Sequence, residues 1–346
     1  MHSYTNKFLR NNIIFMQNIF SIANEEDFRQ QCIETFHYQY KNVEVYRKFV
    51  NYLNIDPQSV REISDLPFLP IEIFKNHLVL DQTKGDVALF FQSSGTTQMN
   101  LSKHYIADET LYKESIYKSF SRFIGKPEDF IFLGLLPNYL ERQNSSLIYM
   151  VDYLMKTSHK PENGYFLYNH QELFELLSQL SGTHKEIILF GVSFALLDFL
   201  DFVHSDSFTH SLAHSPNLTI IETGGMKARK EEMTKDELLK TLQTGFKTKR
   251  IFSEYSMTEL LSQAYSLGNN EYSCPPWMKI LIRNTEDPLS YMPDGRTGAI
   301  NIIDLVNRYS CSFIATQDLG KVHQQKFQVL GRLDHSDIRG CSLLVS

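Results

Sequence analysis

The sequence predicts an α/β fold built from layered sheets, with a last third richer in strand than in helix. Three observations lead there. Short, mostly apolar runs at 130–136 and 186–190, continued at 219–222 and 250–252, alternate with polar or helically patterned stretches, as buried strands of an α/β sheet do. Residues 25–52 carry aromatic and aliphatic positions at helical spacing. Beyond Pro288 the pattern turns to turn-and-strand.

In chain order, the helical opening ends at Pro57 and the Leu66-Pro67-Phe68-Leu69-Pro70 segment. This gives a helical cap over 1–60, an α/β core over 61–330 and a hinge-like tail over 331–346. Residues 87–91 read as a buried strand entering a Ser/Gly/Thr loop, and 108–122 as a helix. Pro293-Asp294-Gly295-Arg296-Thr297-Gly298 is a turn, and 299–305 alternates as a strand. The sequence has no internal repeat, low-complexity tract or disordered linker.

Composition excludes several classes of function. Of the 346 residues, 42% are hydrophobic, with 25 Phe and 18 Tyr, enough for a sizeable core and an apolar pocket as well. A net charge of −6 without a basic run argues against binding nucleic acid or an anionic membrane. The cluster Lys227-Ala228-Arg229-Lys230 runs into Glu231 and Glu232 and reads as a solvated helix start. Cys32, Cys274, Cys311 and Cys341 are far apart and form no C-x-x-C pair, which fits a reducing compartment. The twelve His show no metal-binding spacing; His104 and His170 read as surface or satisfied core groups. Lys7 and Arg10 precede Ile13-Ile14-Phe15-Met16, but Gln17 and Asn18 break the run, and the apolar stretch 187–197 is too short to span a bilayer. A cytoplasmic protein without a membrane span is expected.

Four segments carry candidate chemistry. Ser93-Ser94-Gly95-Thr96-Thr97 follows a strand, with Lys103 a short way on, and offers hydroxyl and backbone donors to phosphate oxygens; the Walker pattern is absent. Ser253-Glu254-Tyr255-Ser256-Met257-Thr258-Glu259 holds an aromatic for a base, a hydroxyl for phosphate and a carboxylate for Mg²⁺, or else is a capped helix start. Thr316-Gln317-Asp318-Leu319-Gly320 and Gly331-Arg332-Leu333-Asp334 read as turns whose carboxylate could accept ribose hydroxyls and whose Arg could reach ribose or phosphate. Each alone is an ordinary loop.

In that order, however, Ser-Ser-Gly-Thr-Thr, Tyr-x-x-Thr-Glu, Asp-Leu-Gly and Gly-Arg-x-Asp resemble the adenylate-forming superfamily of acyl-CoA synthetases, firefly-type luciferases and peptide-synthetase adenylation domains. Leu136-Pro137-Asn138-Tyr139-Leu140-Glu141-Arg142 with Asn144-Ser145-Ser146, and the ending Arg339-Gly340-Cys341, narrow the resemblance to LuxE-type acyl-protein synthetases and phenylacetate–CoA ligases, over residues 60–346.

The resemblance implies the large N-terminal domain of an adenylate-forming enzyme, using ATP and Mg²⁺ to activate a carboxylic acid, a fatty acid in LuxE-type proteins. Ser93, Ser94, Gly95, Thr96 and Thr97 would wrap the ATP phosphates near Lys103. Gly224 and Gly225 fall at the adenine-facing turn, Tyr255 would stack on adenine, Thr258 would meet phosphate and Glu259 the metal. Asp318 would hold the ribose, with Arg332 beside it. Cys341 is the implied acyl acceptor, with Arg339 lowering its pKa; coenzyme A is the alternative acceptor, and an acyl reductase or carrier protein the implied partner.

The chain departs from the pattern in two places. Ser256 stands where relatives carry Gly, and the sequence stops at Ser346, so the C-terminal lid domain with its catalytic Lys is expected to be lacking. Lys103 or a partner protein would then have to replace that Lys. Two rival readings remain: a hydrolase, from the incomplete nucleophile pattern Gly191-Val192-Ser193-Phe194-Ala195, and a nucleotide-binding component of an acyl reductase or synthase assembly that has no turnover of its own.

Overall fold

A computed structural model describes residues 19–93, 100–137, 144–205, 216–224 and 233–333. Ser94, Gly95, Thr96, Thr97, Gly225 and Cys341 lie outside the described residues, as do 138–142, the basic cluster at 227–230 and most of the expected tail.

Helix α1 (Glu25–Asn42) starts where Asn24 Oδ1 accepts the Asp27 N–H at 2.9 Å, with three acidic residues in its first turn. Val43 adopts an extended conformation and α2 (Glu44–Tyr52) follows at once, so the single helical region expected over 25–52 is a pair. Phe36, Tyr46 and Val50 join the same apolar cluster as Phe313, and the Tyr46 hydroxyl donates to Pro67 O at 2.8 Å. A short strand β1 (Leu69–Pro70) and one helical turn α3 (Ile73–Asn76) lead to the hairpin arms β2 (Phe90–Gln92) and β3 (Lys103–Tyr105). The first arm starts later than the expected 87.

From there strand and helix alternate: α4 (Glu109–Phe123), β4 (Phe130–Leu135), α5 (Ser146–Ser158), β5 (Gly164–Phe166), α6 (His170–Ser181), β6 (Glu186–Val192), α7 (Ser193–Ser205), β7 (Leu218–Thr223), α8 (Lys235–Gly245) and β8 (Ile251–Tyr255). The helix starts are locally encoded. Asp108 caps α4, Ser145 caps α5, and Thr234 with Glu237 forms a capping box on α8. The chain then stays in strand: β9 (Ala264–Ser266), β10 (Tyr272–Ser273), β11 (Met278–Arg283), β12 (Gly298–Asp304), β13 (Phe313–His323) and β14 (Lys326–Arg332).

One twelve-stranded sheet takes all of these strands except the β2–β3 hairpin, in the order β11-β12-β13-β14-β10-β9-β8-β7-β6-β4-β5, with β1 alongside β13. From β5 to β8 the pairing is parallel; from β8 to β11 it is antiparallel. β4 and β7 are buried at every position, and β4 is accordingly a continuous apolar run, whereas β11 alternates buried Met278, Ile280 and Ile282 with half-buried neighbours. Among the described residues no helix is long and apolar enough to cross a membrane.

Three expectations are corrected. Residues 253–255 complete β8 rather than start a helix. Asp318 lies inside β13, and Gly331 and Arg332 inside β14, not in turns. Gly320 is needed because the sheet closes on it: a Cβ there would come 2.5 Å from Gln328 O and 2.7 Å from Ile300 Cδ1, beside a register shift at Leu319/Gly320.

β12 ends in a buried polar turn. The Asp304 carboxylate is fully buried and accepts from the N–H groups of Leu261 (2.8 Å), Ser262 (2.9 Å) and Val306 (3.1 Å) and from the Ser262 hydroxyl (2.6 Å). Removing the carboxylate orphans several donors at once, each costing about 1–3 kcal/mol when left unpaired. Asp304→Ala should therefore lose at least about 3 kcal/mol of stability, read from urea unfolding as a lower midpoint; an unchanged midpoint would show that water replaces the carboxylate.

Candidate active site

Ligands of open α/β sheets bind in a crevice outside the carboxyl ends of the parallel strands. Here that edge is formed by Val192, Thr223 and Tyr255, the last residues of β6, β7 and β8. The candidate residues gather around it in three groups.

The first group clasps the hairpin to the chain leaving β8. Ser93 and Ser102 face each other across the hairpin, Ser93 N donating to Ser102 O at 3.1 Å and Ser102 N to Ser93 Oγ at 3.0 Å. The Ser102 hydroxyl donates to Glu259 Oε1, and Asn307 Nδ2 donates to Glu259 O at 2.6 Å. Glu259 is 6% exposed; burial pushes its carboxyl up, against the Ser102 hydrogen bond and the more distant Arg332 and Lys75 charges. His104 is completely buried between Thr258 O (3.0 Å from Nδ1) and Ser310 Oγ (2.8 Å from Nε2). A carbonyl only accepts, so Nδ1 carries the proton. Burial lowers the pKa to about 4, and the imidazole is neutral at pH 7. Thr258 is half-buried between them. Lys103 points the other way, exposed, with Nζ 5.5 Å from the Phe90 ring centroid.

The second group is made by strand register. Asp318 of β13 stands opposite Arg332 of β14, and Arg332 Nε lies 3.5 Å from Asp318 Oδ1. The Tyr255 hydroxyl donates to Asp318 Oδ2 at 2.9 Å. Burial raises the Asp318 pKa, and Tyr255 and Arg332 pull it back. The Tyr255 ring meets Tyr272 and Phe327 edge-on, with centroids 5.9 and 5.4 Å away. Three segments far apart in sequence thus meet at one carboxylate.

The third group is at the end of β7, where Gly224 turns with φ +75°, a conformation that favours glycine. Its carbonyl accepts from Ser193 Oγ at 3.1 Å. Ser193 does sit at a strand-to-helix passage, as a hydrolase nucleophile would, but its hydroxyl faces Glu222 Oε2 (2.9 Å) and backbone carbonyls, with no histidine among its described partners.

Sequence reasoning missed Ser102, Glu222, Lys235, Asn307 and Ser310, and left His104 without a role. Ser102 and His104 flank Lys103 at the two-residue spacing of a strand, so their shared face was available as a signal. Glu222 ends an apolar run, where a carboxylate is unusual. Glu254 was noted only as part of its motif. It is fully buried, and burial raises its carboxyl to about 7 against hydrogen bonds from Ser256 and Thr223.

No group of three potential metal ligands occurs among the described residues. Mg²⁺ in nucleotide sites commonly takes one or two carboxylates and completes its shell with phosphate oxygens and water, so Glu259 alone fits that donor set. Glu259→Gln keeps the shape and the Ser102 contact but removes the charge. It should cut exchange of labelled pyrophosphate into ATP on the order of 10²-fold while melting with the wild type; near-wild-type exchange at limiting Mg²⁺ would put the metal elsewhere.

The profile of the family described as acyl-protein synthetase, LuxE, matches residues 10–346. A long-chain-fatty-acid–luciferin-component ligase of Vibrio harveyi is 24% identical over 338 residues, covering 90% of this chain and 85% of the relative. Its counterpart of the same name in Aliivibrio fischeri is 21% identical, covering 93% and 89%. Among solved structures, 2-hydroxyisobutyryl-CoA ligase, in an open conformation with 2-HIB-AMP and CoA, gives a TM-score of 0.70 at 10% identity, over 90% of this chain and 70% of that one. ATP-bound MatB from Rhodopseudomonas palustris gives 0.53 at 14% identity, over 73% and 49%. At those identities the structural likeness is one of fold: a large mixed sheet of the kind found in adenylate-forming enzymes. With nearly the whole chain matched by that profile, the chain belongs to the LuxE acyl-protein synthetase family.

Proposed function

We propose that this ligase activates a long-chain fatty acid with ATP as an acyl-adenylate and passes the acyl group to a thiol, that of Cys341. The observation that carries the reading is the meeting of Tyr255, Asp318 and Arg332 at the crevice edge, beside the Ser102–Glu259 clasp. The named substrates of the bacterial ligases favour a long-chain acid.

In the first half-reaction a carboxylate oxygen of the acid attacks the α-phosphorus of ATP, the bond to the bridging oxygen breaks, and pyrophosphate leaves. Asp318, relieved of Tyr255, accepts the ribose hydroxyls, with Arg332 holding its carboxylate in place. Tyr255 covers the base, and Gly224 with Gly225 borders it. Ser93 to Thr97 donate to the phosphates, Thr258 adds a hydroxyl, and exposed Lys103 supplies positive charge nearby. Glu259 would hold Mg²⁺, which when bound neutralises phosphate charge.

In the second half-reaction the Cys341 thiolate attacks the acyl carbonyl, the acyl–phosphate anhydride bond breaks and AMP leaves, giving a thioester. An acyl reductase or carrier protein would collect the acyl group from it; coenzyme A is the alternative acceptor.

The Cys341 step is tested by intact-protein mass after incubation with ATP, Mg²⁺ and a long-chain fatty acid. Wild type should gain one acyl mass and lose it to neutral hydroxylamine, which cleaves thioesters. Cys341→Ser should keep pyrophosphate exchange and gain no such adduct, because a serine hydroxyl is far less ionised than a thiol. A labile adduct on the variant would place the acceptor elsewhere; with coenzyme A added to the mixture, release of acyl-CoA from an unmodified wild type would make coenzyme A the acceptor.

A further inference from the structure

A buried ion pair lies directly behind the Gly224 turn, and the proposed chemistry gives it no part. The Glu222 side chain is completely buried near the end of β7, and Lys235, the first residue of α8, reaches it with a side chain only 19% exposed. Lys235 Nζ contacts Glu222 Oε1, while Oε2 accepts from the Ser193 hydroxyl at 2.9 Å. Burial works against the Lys235 charge, yet the Glu222 carboxylate, with help from Tyr272, more than restores it and holds the pKa above the ordinary lysine value. Lys235 keeps its charge in this buried place because it faces the Glu222 side chain.

A buried ion pair is a poor source of stability, since an apolar replacement of the same volume is often as stable, but it does fix geometry. What this one fixes can be followed atom by atom. Ser193 has a single hydroxyl proton and two close acceptors, Glu222 Oε2 at 2.9 Å and Gly224 O at 3.1 Å. With Lys235 taking up part of the carboxylate's charge, Glu222 competes less strongly for that proton, and Ser193 can share it with the glycine carbonyl. On its other side Lys235 lies against Tyr272, with Nζ 5.9 Å from the ring centroid. Tyr272 stacks on Phe327 at 5.2 Å and meets Tyr255 at 5.9 Å. The pair therefore reaches both borders of the crevice proposed for the base, the Gly224 turn through Ser193 and the Tyr255 ring through Tyr272. β-Strand alternation explains why: Glu222 and Ser253 are register partners, and Ser253 shares a face of β8 with Tyr255.

We infer that Glu222, Lys235 and Ser193 are positioning residues for nucleotide binding, holding the Gly224 carbonyl and the Tyr272–Tyr255 pair in register. This rests on the nucleotide reading of Gly224 and Tyr255 given above. They touch the elements that would border the base, so their loss acts on affinity for ATP rather than on the rate of adenylate formation once ATP is bound.

Ser193→Ala removes one hydrogen bond and leaves the ion pair in place, so it is the least disruptive test. Calorimetric titration of ATP in the absence of acid should give a Kd about fivefold higher than wild type, and in acid-dependent pyrophosphate exchange the loss should fall on KM for ATP rather than on kcat. Lys235→Met should act in the same direction and more strongly. Should that single change unfold the protein by stranding Glu222, the charge-balanced double variant Glu222→Gln/Lys235→Met takes its place with the same expected rise in Kd. Unchanged ATP affinity in both Ser193→Ala and the folded charge variant would overturn the inference, as would a fall confined to kcat. A wild type that binds no ATP at all would instead overturn the nucleotide reading itself, and the inference with it.

Discussion

Asp304 accepts three backbone N–H groups and a hydroxyl in a place closed to solvent, and the turn it begins ties together the parts of the site that come from distant sequence. Its bonds to Leu261 and Ser262 fix the chain just past Glu259. Three residues on, Asn307 donates to Glu259 O, and Ser310 meets His104. From the other side Gln39 of α1 donates to the carbonyls of Asn307 and Arg308 at 2.9 and 3.0 Å and receives Ser312 N at 3.1 Å. One buried turn thus anchors the N-terminal helices, the β2–β3 hairpin and the segment that follows β8. Polar groups so deeply buried are costly unless paired, so the bonds made by the Asp304 carboxylate and Asn307 Nδ2 make the arrangement specific, while Asn307 Oδ1 is buried without a partner among the described residues.

The second half of the site depends on register rather than on a turn. β13 and β14 place Asp318 opposite Arg332, and the path from parallel to antiparallel pairing brings β8 close enough for Tyr255 to reach the same carboxylate. Because a slip of one residue reverses every side chain, the register shift at Leu319/Gly320 and the bare Gly320 that allows it belong to the site as much as Asp318 does. Asp318 and Glu259 are both carboxylates whose burial favours the protonated form, and both are steadied by a hydroxyl, Tyr255 in one case and Ser102 in the other. In the function proposed above, each would exchange that hydroxyl for a ligand: a ribose for Asp318, a metal ion for Glu259.

Much of the fold was legible because strand burial in the parallel half leaves continuous apolar runs, and because Asp108, Ser145 and Thr234 announce the helices that follow them. The antiparallel half was read as β-rich but not resolved: Asp318 and Arg332 looked like turn residues, since Gly320 and Gly331 mark turns far more often than tight contacts within a sheet. The motif residues could be named from sequence, but not their supports. Ser193, Glu222 and Lys235 lie 42 residues apart from first to last, and a pairing set by two strands and a helix start has no local pattern to betray it.

The central claim is that this constellation cleaves ATP between the α- and β-phosphates on behalf of a carboxylic acid. The direct measurement is the identity of the nucleotide product when the purified protein is incubated with ATP, Mg²⁺ and a panel of straight-chain acids of increasing length. The account predicts AMP and pyrophosphate in equal amounts, formed only with acid present and most rapidly with the long-chain members. ADP and phosphate as the products, or AMP formed at the same rate without acid, would contradict it.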